Sequence, residues 1–201
     1  MFSMHGKFYK ILAVVLAASL LFCFIGCGKG ARQPEEVADL VLTYIQQGKM
    51  KKALALMHNP EDYILGDSST IELNEALRQH LSWSFGEKRY DAENDYYMIE
   101  ASITMVDLAV VMGDLMTKYF DQMLSDAIQG VSWEDDQVAE QLTADINAII
   151  TSEDAPVCTD EILIYVVPDP EGDWKVFVED EFINAVTGGV LELYEFYSYG
   201  N

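Results

Sequence analysis

An alternating segment near the middle of the chain constrains its fold more than any other feature. Residues 97–105 switch at each step between an apolar and a more polar side chain, the period of a half-buried β-strand. The apolar set is Tyr97, Ile99, Ala101, Ile103 and Met105. Such a strand needs a neighbouring strand and a layer that covers its apolar face. The segment therefore predicts a β-sheet with a second layer of secondary structure packed on its apolar face.

The sequence ahead of this strand has mostly helical periodicity. Apolar side chains recur with helical spacing from Pro34 to Gly48 and again from Met50 to Asn59. A Ser69-x-x-Glu72 capping box predicts a third helix that ends near His80. The alternation of Trp83 and Phe85 then predicts a strand, which is joined to the alternating segment across residues 91–95.

Two long helices are predicted after the alternating segment. Asp107 suits the N-cap of the first, which ends at Gly130, and a Ser132-x-x-Asp135 signal opens the second. The second carries apolar residues as far as Ile150. The buried face predicted for the first consists of Leu108, Val111, Met112, Leu115, Tyr119 and Met123.

The chain then returns to strands. The apolar run 162–167 and the alternating segment 174–178 flank the turn residues 168–173, which predicts a β-hairpin. A short helix over 181–186 is expected to end at Gly188-Gly189. This order of elements predicts an α+β fold. The aromatic and acidic tail that follows is assigned to neither helix nor strand.

Cys27 ends the first part of the chain. Lys7 and Lys10 are followed by sixteen uncharged residues from 11 to 26, which suits a signal peptide and is short for a membrane span of about 20 residues. Gly26 directly before Cys27 resembles the lipobox of bacterial lipoproteins. The resemblance implies cleavage between Gly26 and Cys27 and a diacylglyceryl group on Cys27. An uncleaved N-terminal anchor helix is the alternative.

These signals divide the chain into three parts. Residues 1–26 are predicted to be a lipoprotein signal peptide, 27–33 the lipidated cysteine and its tether, and 34–201 a single α+β domain. The predicted location is the cell membrane, on the extracytoplasmic face. Without residues 1–26 the cysteines are Cys27 and Cys158, so an acylated Cys27 leaves Cys158 as either a small buried filler or a reactive thiol.

Charge is divided unevenly. Residues 1–89 carry ten Lys/Arg and nine Asp/Glu, whereas residues 90–201 carry two and twenty-five, within a net charge of −22. Such a surface repels nucleic acid, which is excluded as a partner. A solvated acidic face, a basic partner and loosely held cations remain possible interpretations.

Three segments together resemble a known family. They are Tyr44–Gly48 running into Lys52–Leu54, Ile103–Asp107, and Gly172–Val176 with Ala185–Gly189. The chain is similar to small extracytoplasmic lipoproteins of Gram-positive bacteria that carry a nuclear-transport-factor-two-like (cystatin-like) domain of unknown function. The resemblance implies a curved antiparallel sheet that is wrapped by helices into a cone. The extra helices inserted in mid-domain depart from the family pattern.

No motif for catalysis or metal binding is found. His58 and His80 are not at ligand spacing with Cys or His, and Asp169, Glu171 and Asp173 alternate without an EF-hand pattern. We expect no catalytic residue, no metal and no cofactor. In enzymes of the resembled superfamily a tyrosine and an acid work inside the cone, and the candidate tyrosines here are Tyr97, Tyr119 and Tyr165.

The leading interpretation is a non-catalytic binding or protein-interaction module, held at the membrane through the lipid on Cys27, with an unknown protein or cell-envelope partner. One alternative is a protein that binds an apolar small ligand in the cone pocket, because methionine adapts its shape to such ligands. An enzyme of the same fold is the other. The residues predicted to line such a pocket are Met98, Met105, Met112, Met116, Met123 and Trp174.

Overall fold

The alternating segment forms the second strand of a four-stranded antiparallel sheet in which neighbours in sequence are neighbours in space. The computed structural model describes residues 32–60, 75–129 and 135–193. The helices are α1 (Pro34–Gln46), α2 (Met50–Leu54), α3 (Glu75–His80), α4 (Leu108–Gln129), α5 (Asp135–Ile150) and α6 (Asp180–Thr187). The strands are β1 (Ser82–Asp91), β2 (Tyr96–Val106), β3 (Val157–Pro168) and β4 (Trp174–Phe177).

This arrangement confirms the predicted α+β class and the predicted order of helices and strands. Gly26, Cys27, the Ser69-x-x-Glu72 capping box, Gly130 and Ser132 lie outside the described residues. The aromatic tail from residue 194 onward lies outside them too. Among the described residues, no helix is long and apolar enough to cross a membrane.

Both predicted hairpins are closed by an aspartate at the turn. Asp91 Oδ1 accepts the backbone N–H groups of Glu93 (2.9 Å) and Asn94 (3.1 Å) between β1 and β2. Asp169 Oδ1 accepts those of Glu171 and Asp173, both at 2.9 Å, between β3 and β4. A carboxylate that accepts nearby N–H groups holds the chain in a turn conformation. Of the alternating acids at 169–173, Asp169 therefore holds the turn through its carboxylate.

β1 and β3 are longer than the sequence indicated. Pairing extends β1 through the charged residues Lys88 and Arg89 to Asp91, with a bulge between Phe85 and Lys88. β3 pairs with β2 from Val157, five residues ahead of the apolar run. Charged residues are tolerated on β1 because it is an edge strand with solvent on its outer side. Ladder hydrogen bonds, which sequence patterns do not record, extend the strands.

The other edge of the sheet is covered by the segment after α2. Val176 N–H donates to Leu56 O (2.9 Å), and His58 N–H donates to Val176 O (2.8 Å). The side-chain amide of Asn59 continues this pairing, since its Oδ1 accepts Val178 N–H at 3.1 Å and its Nδ2 donates to Val178 O at 3.3 Å. The covered edge has fewer open hydrogen-bonding groups for another strand.

The main core lies on one face of the sheet. Ile99, Ile103 and Met105 of β2 are completely buried there, and both α1 and α6 pack over this side. The apolar face of α1 supplies Val37, Val41, Leu42 and Ile45. Burial of such side chains contributes about 1.5–3 kcal/mol each. The predicted helical periodicity of α1 thus corresponds to its contact with the sheet.

A second cluster joins α4 and α5 to the end of the sheet. It is formed by Val106, Val111, Leu115, Tyr119, Ile150 and Ala155. The predicted buried face of α4 is therefore confirmed at Val111, Leu115 and Tyr119. It is wrong at Met123, which is 50% exposed. α4 packs against α5, and a single neighbouring helix covers only one side of it.

The junction between α6 and α4 depends on Gly188. Its φ of +70° is left-handed, and a Cβ there would clash with the carbonyl oxygen of Val106. Gly188 O also accepts the N–H of Leu108 at 3.2 Å, so the same peptide anchors the start of α4. Gly189 has a similar φ of +84°, but a Cβ at that residue would meet no atom within 4 Å.

Gly188→Ala is expected to lower the free energy of unfolding by more than about 3 kcal/mol, because backbone strain and a collision with backbone combine. Gly189→Ala is the matched control and carries only the left-handed strain, about 1–2 kcal/mol. Urea denaturation followed by circular dichroism measures both. Equal losses for the two variants would contradict the close contact with Val106.

Candidate functional site

The candidate site is a pocket of about 470 Å³ at the end of the sheet where β3 begins. The start of α4 and the end of α6 form its other walls. We call it the acidic pocket; its lining consists of Asp107, Ala109, Cys158, Asp160, Glu161, Ile162, Glu181, Asn184, Gly188, Gly189 and Glu192. None of these lining residues was among the predicted pocket residues.

Strand alternation places two polar β3 side chains in this pocket. Cys158 pairs with Met105 and Asp160 pairs with Ile103, so both point to the same side of the sheet as the main core. α6 ends at Thr187, and a left-handed Gly188 then turns the chain. The core layer therefore stops short of the beginning of β3, and the inner face of the strand is open there.

Two capping interactions hold the other walls. Asp107 Oδ1 accepts the N–H of Val110 at 2.9 Å and caps α4, as the sequence predicted. Asn184 Oδ1 accepts the N–H of Leu191 at 3.0 Å, which holds the segment carrying Glu192 against α6. The walls are thus fixed by these local hydrogen bonds and by the bond from Leu108 N–H to Gly188 O, which joins the start of α4 to the end of α6.

The lining is strongly acidic. Its carboxylates are those of Asp107, Asp160, Glu181 and Glu192, and the described lining residues include no Lys, Arg or His. The side chain of Glu161 lies on the outer face of the sheet, where its Oε1 accepts a hydrogen bond from Ser102 Oγ at 2.7 Å. Like charges that converge on a concave surface focus a negative potential, which attracts positively charged groups and repels phosphates. In the part of the chain that the structure describes, no group of three or more His, Cys, Asp or Glu could hold a metal ion.

Cys158 is a free, partly buried thiol in the acidic pocket. Burial raises its pKa, and the negative charges of Asp160 and Asp107 raise it further. Because the thiolate is the reactive form, the pocket disfavours nucleophilic chemistry at this sulfur. Of the two interpretations of Cys158, the position supports an inert thiol, although one that lines a pocket rather than fills the core.

The predicted pocket residues are not brought together. Met105 is completely buried in the main core, whereas Met98 is on the opposite face of β2, where it pairs with Tyr165. Trp174 packs edge-to-face on Tyr97 at 5.2 Å, near the far end of the sheet. Adjacent strand positions point to opposite faces and even steps share one, so Met98 and Met105, seven residues apart, cannot line one surface.

The methionines of α4 diverge as well. Met112 is partly buried, while Met116 and Met123 are 51% and 50% exposed. The candidate tyrosines also separate: Tyr165 contacts Tyr96 at 5.6 Å on the outer face of the sheet, and Tyr119 is on α4. No shared interior site for these residues is found within the described ranges.

α4 and α5 are joined by a cluster of polar side chains around Asp145. Its Oδ2 accepts from Lys118 Nζ at 2.6 Å and from Tyr119 Oη at 3.0 Å, and its Oδ1 accepts from Gln141 Nε2 at 3.2 Å. The hydrogen bond from Lys118, followed by that from Tyr119, lowers the pKa of the Asp145 carboxyl below its ordinary value of 3.8. Lys118, the one lysine of α4, is thus engaged.

The second half of α4 carries an exposed apolar surface, which we call the α4 apolar face. It consists of Phe120 (69% exposed), Met123 (50%), Leu124 (55%) and Ile128 (80%). The i, i+3, i+4, i+8 spacing places these residues on one side of the helix, which faces away from the side that packs on α5. The sequence analysis missed this face because it followed only the apolar spacing that leads to Met123 and made no assignment for Phe120, Leu124 or Ile128.

Comparisons of the chain with known protein families, with curated proteins and with solved structures find no match.

Alkylation of Cys158 tests the electrostatics of the acidic pocket. At pH 7.5 we expect iodoacetamide to modify it severalfold more slowly than an unperturbed cysteine, because its raised pKa leaves little thiolate. Asp160→Asn removes one of the charges and should accelerate the reaction. Peptide mass spectrometry of the full chain separates this site from the other cysteines. An equal rate in Asp160→Asn would contradict the charge effect.

Asp145→Asn is expected to reduce stability at pH 7, since the native carboxylate has a lowered pKa. A depressed acid pKa stabilises the fold above the unfolded value, and this contribution disappears as the pH falls through the folded value, below 3.8. The wild-type and variant melting temperatures should therefore converge in acid. Asp114→Asn, at an exposed position of α4, should match the wild type throughout. A constant difference at all pH values would contradict the linkage.

Proposed function

We propose that the protein is a membrane-anchored extracytoplasmic lipoprotein whose folded domain is a non-catalytic binding and protein-interaction module. The observation that carries the interaction role is the α4 apolar face. A protein surface rarely leaves a continuous row of apolar side chains such as Phe120, Leu124 and Ile128 uncovered, because burial of each against a partner is favourable. The four residues lie on one helix, so the face is already formed in the folded protein, which favours binding.

The anchor is supported by the order of signals at the start of the chain. A basic start, an uncharged apolar stretch and Gly26-Cys27 follow one another within 27 residues. Two acyl chains, at about 0.8 kcal/mol for each buried CH₂, would hold the domain firmly. The tether from Cys27 to Gln33 would keep the domain within about 20 Å of the lipid, so its partner would be at the membrane surface.

The finer proposal for the fold is a cystatin-like cone. A four-stranded antiparallel sheet with α1 and α6 on one face is compatible with such a cone. The inner face of the sheet is filled by Ile99, Ile103 and Met105, which favours an interaction module over a carrier of an apolar ligand. The acidic pocket, with its four carboxylates, also suits a positively charged group better than an apolar one.

The anchor is tested with Cys27→Ala in the full chain expressed in a Gram-positive host. The wild type should appear in the membrane fraction as a chain that lacks residues 1–26 and carries the mass of a diacylglyceryl group. Cys27→Ala should keep residues 1–26. Cys23→Ala is the matched control and should be processed like the wild type. A Cys27→Ala protein with wild-type processing and mass would contradict the lipoprotein proposal.

The interaction role is tested separately by native mass spectrometry of the protein released from these membranes with mild detergent. A stoichiometric small molecule that remains bound through purification would favour the ligand-binding alternative. Release of the chain with a second protein, lost when Phe120 and Ile128 are both replaced by serine, would support the module.

A further inference from the structure

The α4 apolar face is of the size of a protein interface. Its four side chains, each at least half exposed, present on the order of 500 Å² of apolar surface, near the upper end for the largest patch on a monomer. A standard interface buries about 800 Å² on each partner, a little over half of it apolar. The face therefore supplies about the apolar area that one such interface needs.

The surroundings of this face are acidic. α4 contains three Asp and one lysine, and residues 90–201 as a whole carry twenty-five Asp or Glu and two Lys or Arg. That lysine, Lys118, is held by Asp145 at 2.6 Å. Asp121 is exposed one turn before Leu124 and two turns before Ile128, on the same side of the helix. Asp121 thus forms a negatively charged rim of the α4 apolar face.

The charge around the α4 apolar face distinguishes among the molecules that could cover it. A second copy would bring its own Asp121 and its own predominantly acidic surface against this one, and like charges across an interface are costly. A bilayer with anionic headgroups is repelled in the same way, and helices that lie in membrane surfaces carry Lys and Arg on their polar side. An apolar segment flanked by Lys or Arg would cover the α4 apolar face and would also be attracted to the negative charge at its edge.

The shape of the face selects a helix. Its residues form a single ridge from Phe120 to Ile128, about 12 Å long at 1.5 Å per residue. The ridge lies on the side of α4 that faces away from α5, so a helix laid along it would pack against α4 through anchors at i, i+3 and i+4. A partner strand could not form main-chain hydrogen bonds with α4, because the backbone groups of α4 are already paired within the helix.

We infer that the α4 apolar face docks a basic amphipathic helix of another protein. This inference rests on the proposed interaction function and gives its partner a chemical class. Apolar side chains of the partner would cover Phe120 and Ile128, and its Lys or Arg residues would lie along the rim at Asp121. Binding should weaken as the salt concentration is raised, because salt screens the attraction between the rim at Asp121 and the Lys or Arg residues of the partner.

The test uses the full chain in phosphatidylcholine nanodiscs, with empty discs as background. The probes are two fluorescent helical peptides of about five turns with the same leucine face, one flanked by lysines and one by glutamates. Fluorescence anisotropy measures each affinity. We expect the lysine peptide to bind at least tenfold more tightly than the glutamate peptide. Equal affinities, or no binding above empty discs, would overturn the inference.

Substitutions on α4 test whether the lysine peptide binds at the α4 apolar face. Phe120→Ser combined with Ile128→Ser should weaken the lysine peptide at least tenfold, and both positions are exposed, so the fold is retained. Val157→Ser is the matched control, since Val157 is an apolar residue of β3 that is 53% exposed. It should leave the affinity unchanged. Asp121→Lys should weaken the lysine peptide and strengthen the glutamate peptide. An equal loss in Val157→Ser would overturn the assignment to α4.

Photo-crosslinking from position 120 in cells separates this inference from the proposed function. An adduct with a basic helical segment of another protein supports both. An adduct with a neutral or acidic protein segment overturns the inference and leaves the interaction module standing. Adducts with a second copy overturn the inference, and adducts with lipid alone overturn both.

Discussion

The pairing of β2 with β3 is the interaction on which the rest of this domain depends. Ten residue pairs run from Tyr97 opposite Val166 to Val106 opposite Val157. The two strands form the centre of the sheet, and the inner side chains of both are the floor on which α1 and α6 pack. Because β2 ends at Val106 and β3 begins only at Val157, the helices α4 and α5 must be accommodated in the connection between them.

Both candidate surfaces are consequences of this arrangement. The pairing continues to the very start of β3, beyond the end of α6, and the uncovered inner positions Cys158 and Asp160 become the wall of the acidic pocket. The connection leaves β2 at Val106 and returns at Val157, and its helices cover mainly each other and the end of the sheet. The far half of α4 is consequently left with one packed side and one exposed apolar side.

Helix caps, turn residues and strand alternation predicted much of the fold, because each of these features depends only on residues that are close in the sequence. Asp107 caps α4, Asp91 and Asp169 hold their turns, and Gly188 ends α6 in a left-handed conformation. Each acts within a few residues, so a single sequence contains the information. The alternation of β2 likewise identified which side chains face the core.

The candidate site was harder to predict, because its residues come from separate parts of the chain. Nothing in the sequence places Asp107 and Glu181 on one pocket, and the methionine pattern pointed elsewhere. Met98 and Met105 are separated by an odd step on β2, and Met116 and Met123 extend beyond the helix surface that α5 covers. An apolar residue predicts burial, but it does not say which partner covers it.

The sequence by itself determined the order and type of the elements, their caps and their turns, and it predicts the lipid anchor at Cys27. The elements, caps and turns follow from backbone geometry and from hydrogen bonds between near neighbours. The tertiary structure alone decided which apolar faces are covered, since that depends on where distant segments meet. It assigned the face of Val111 and Leu115 to the core and left that of Phe120 and Ile128 to solvent, although both have the same helical spacing.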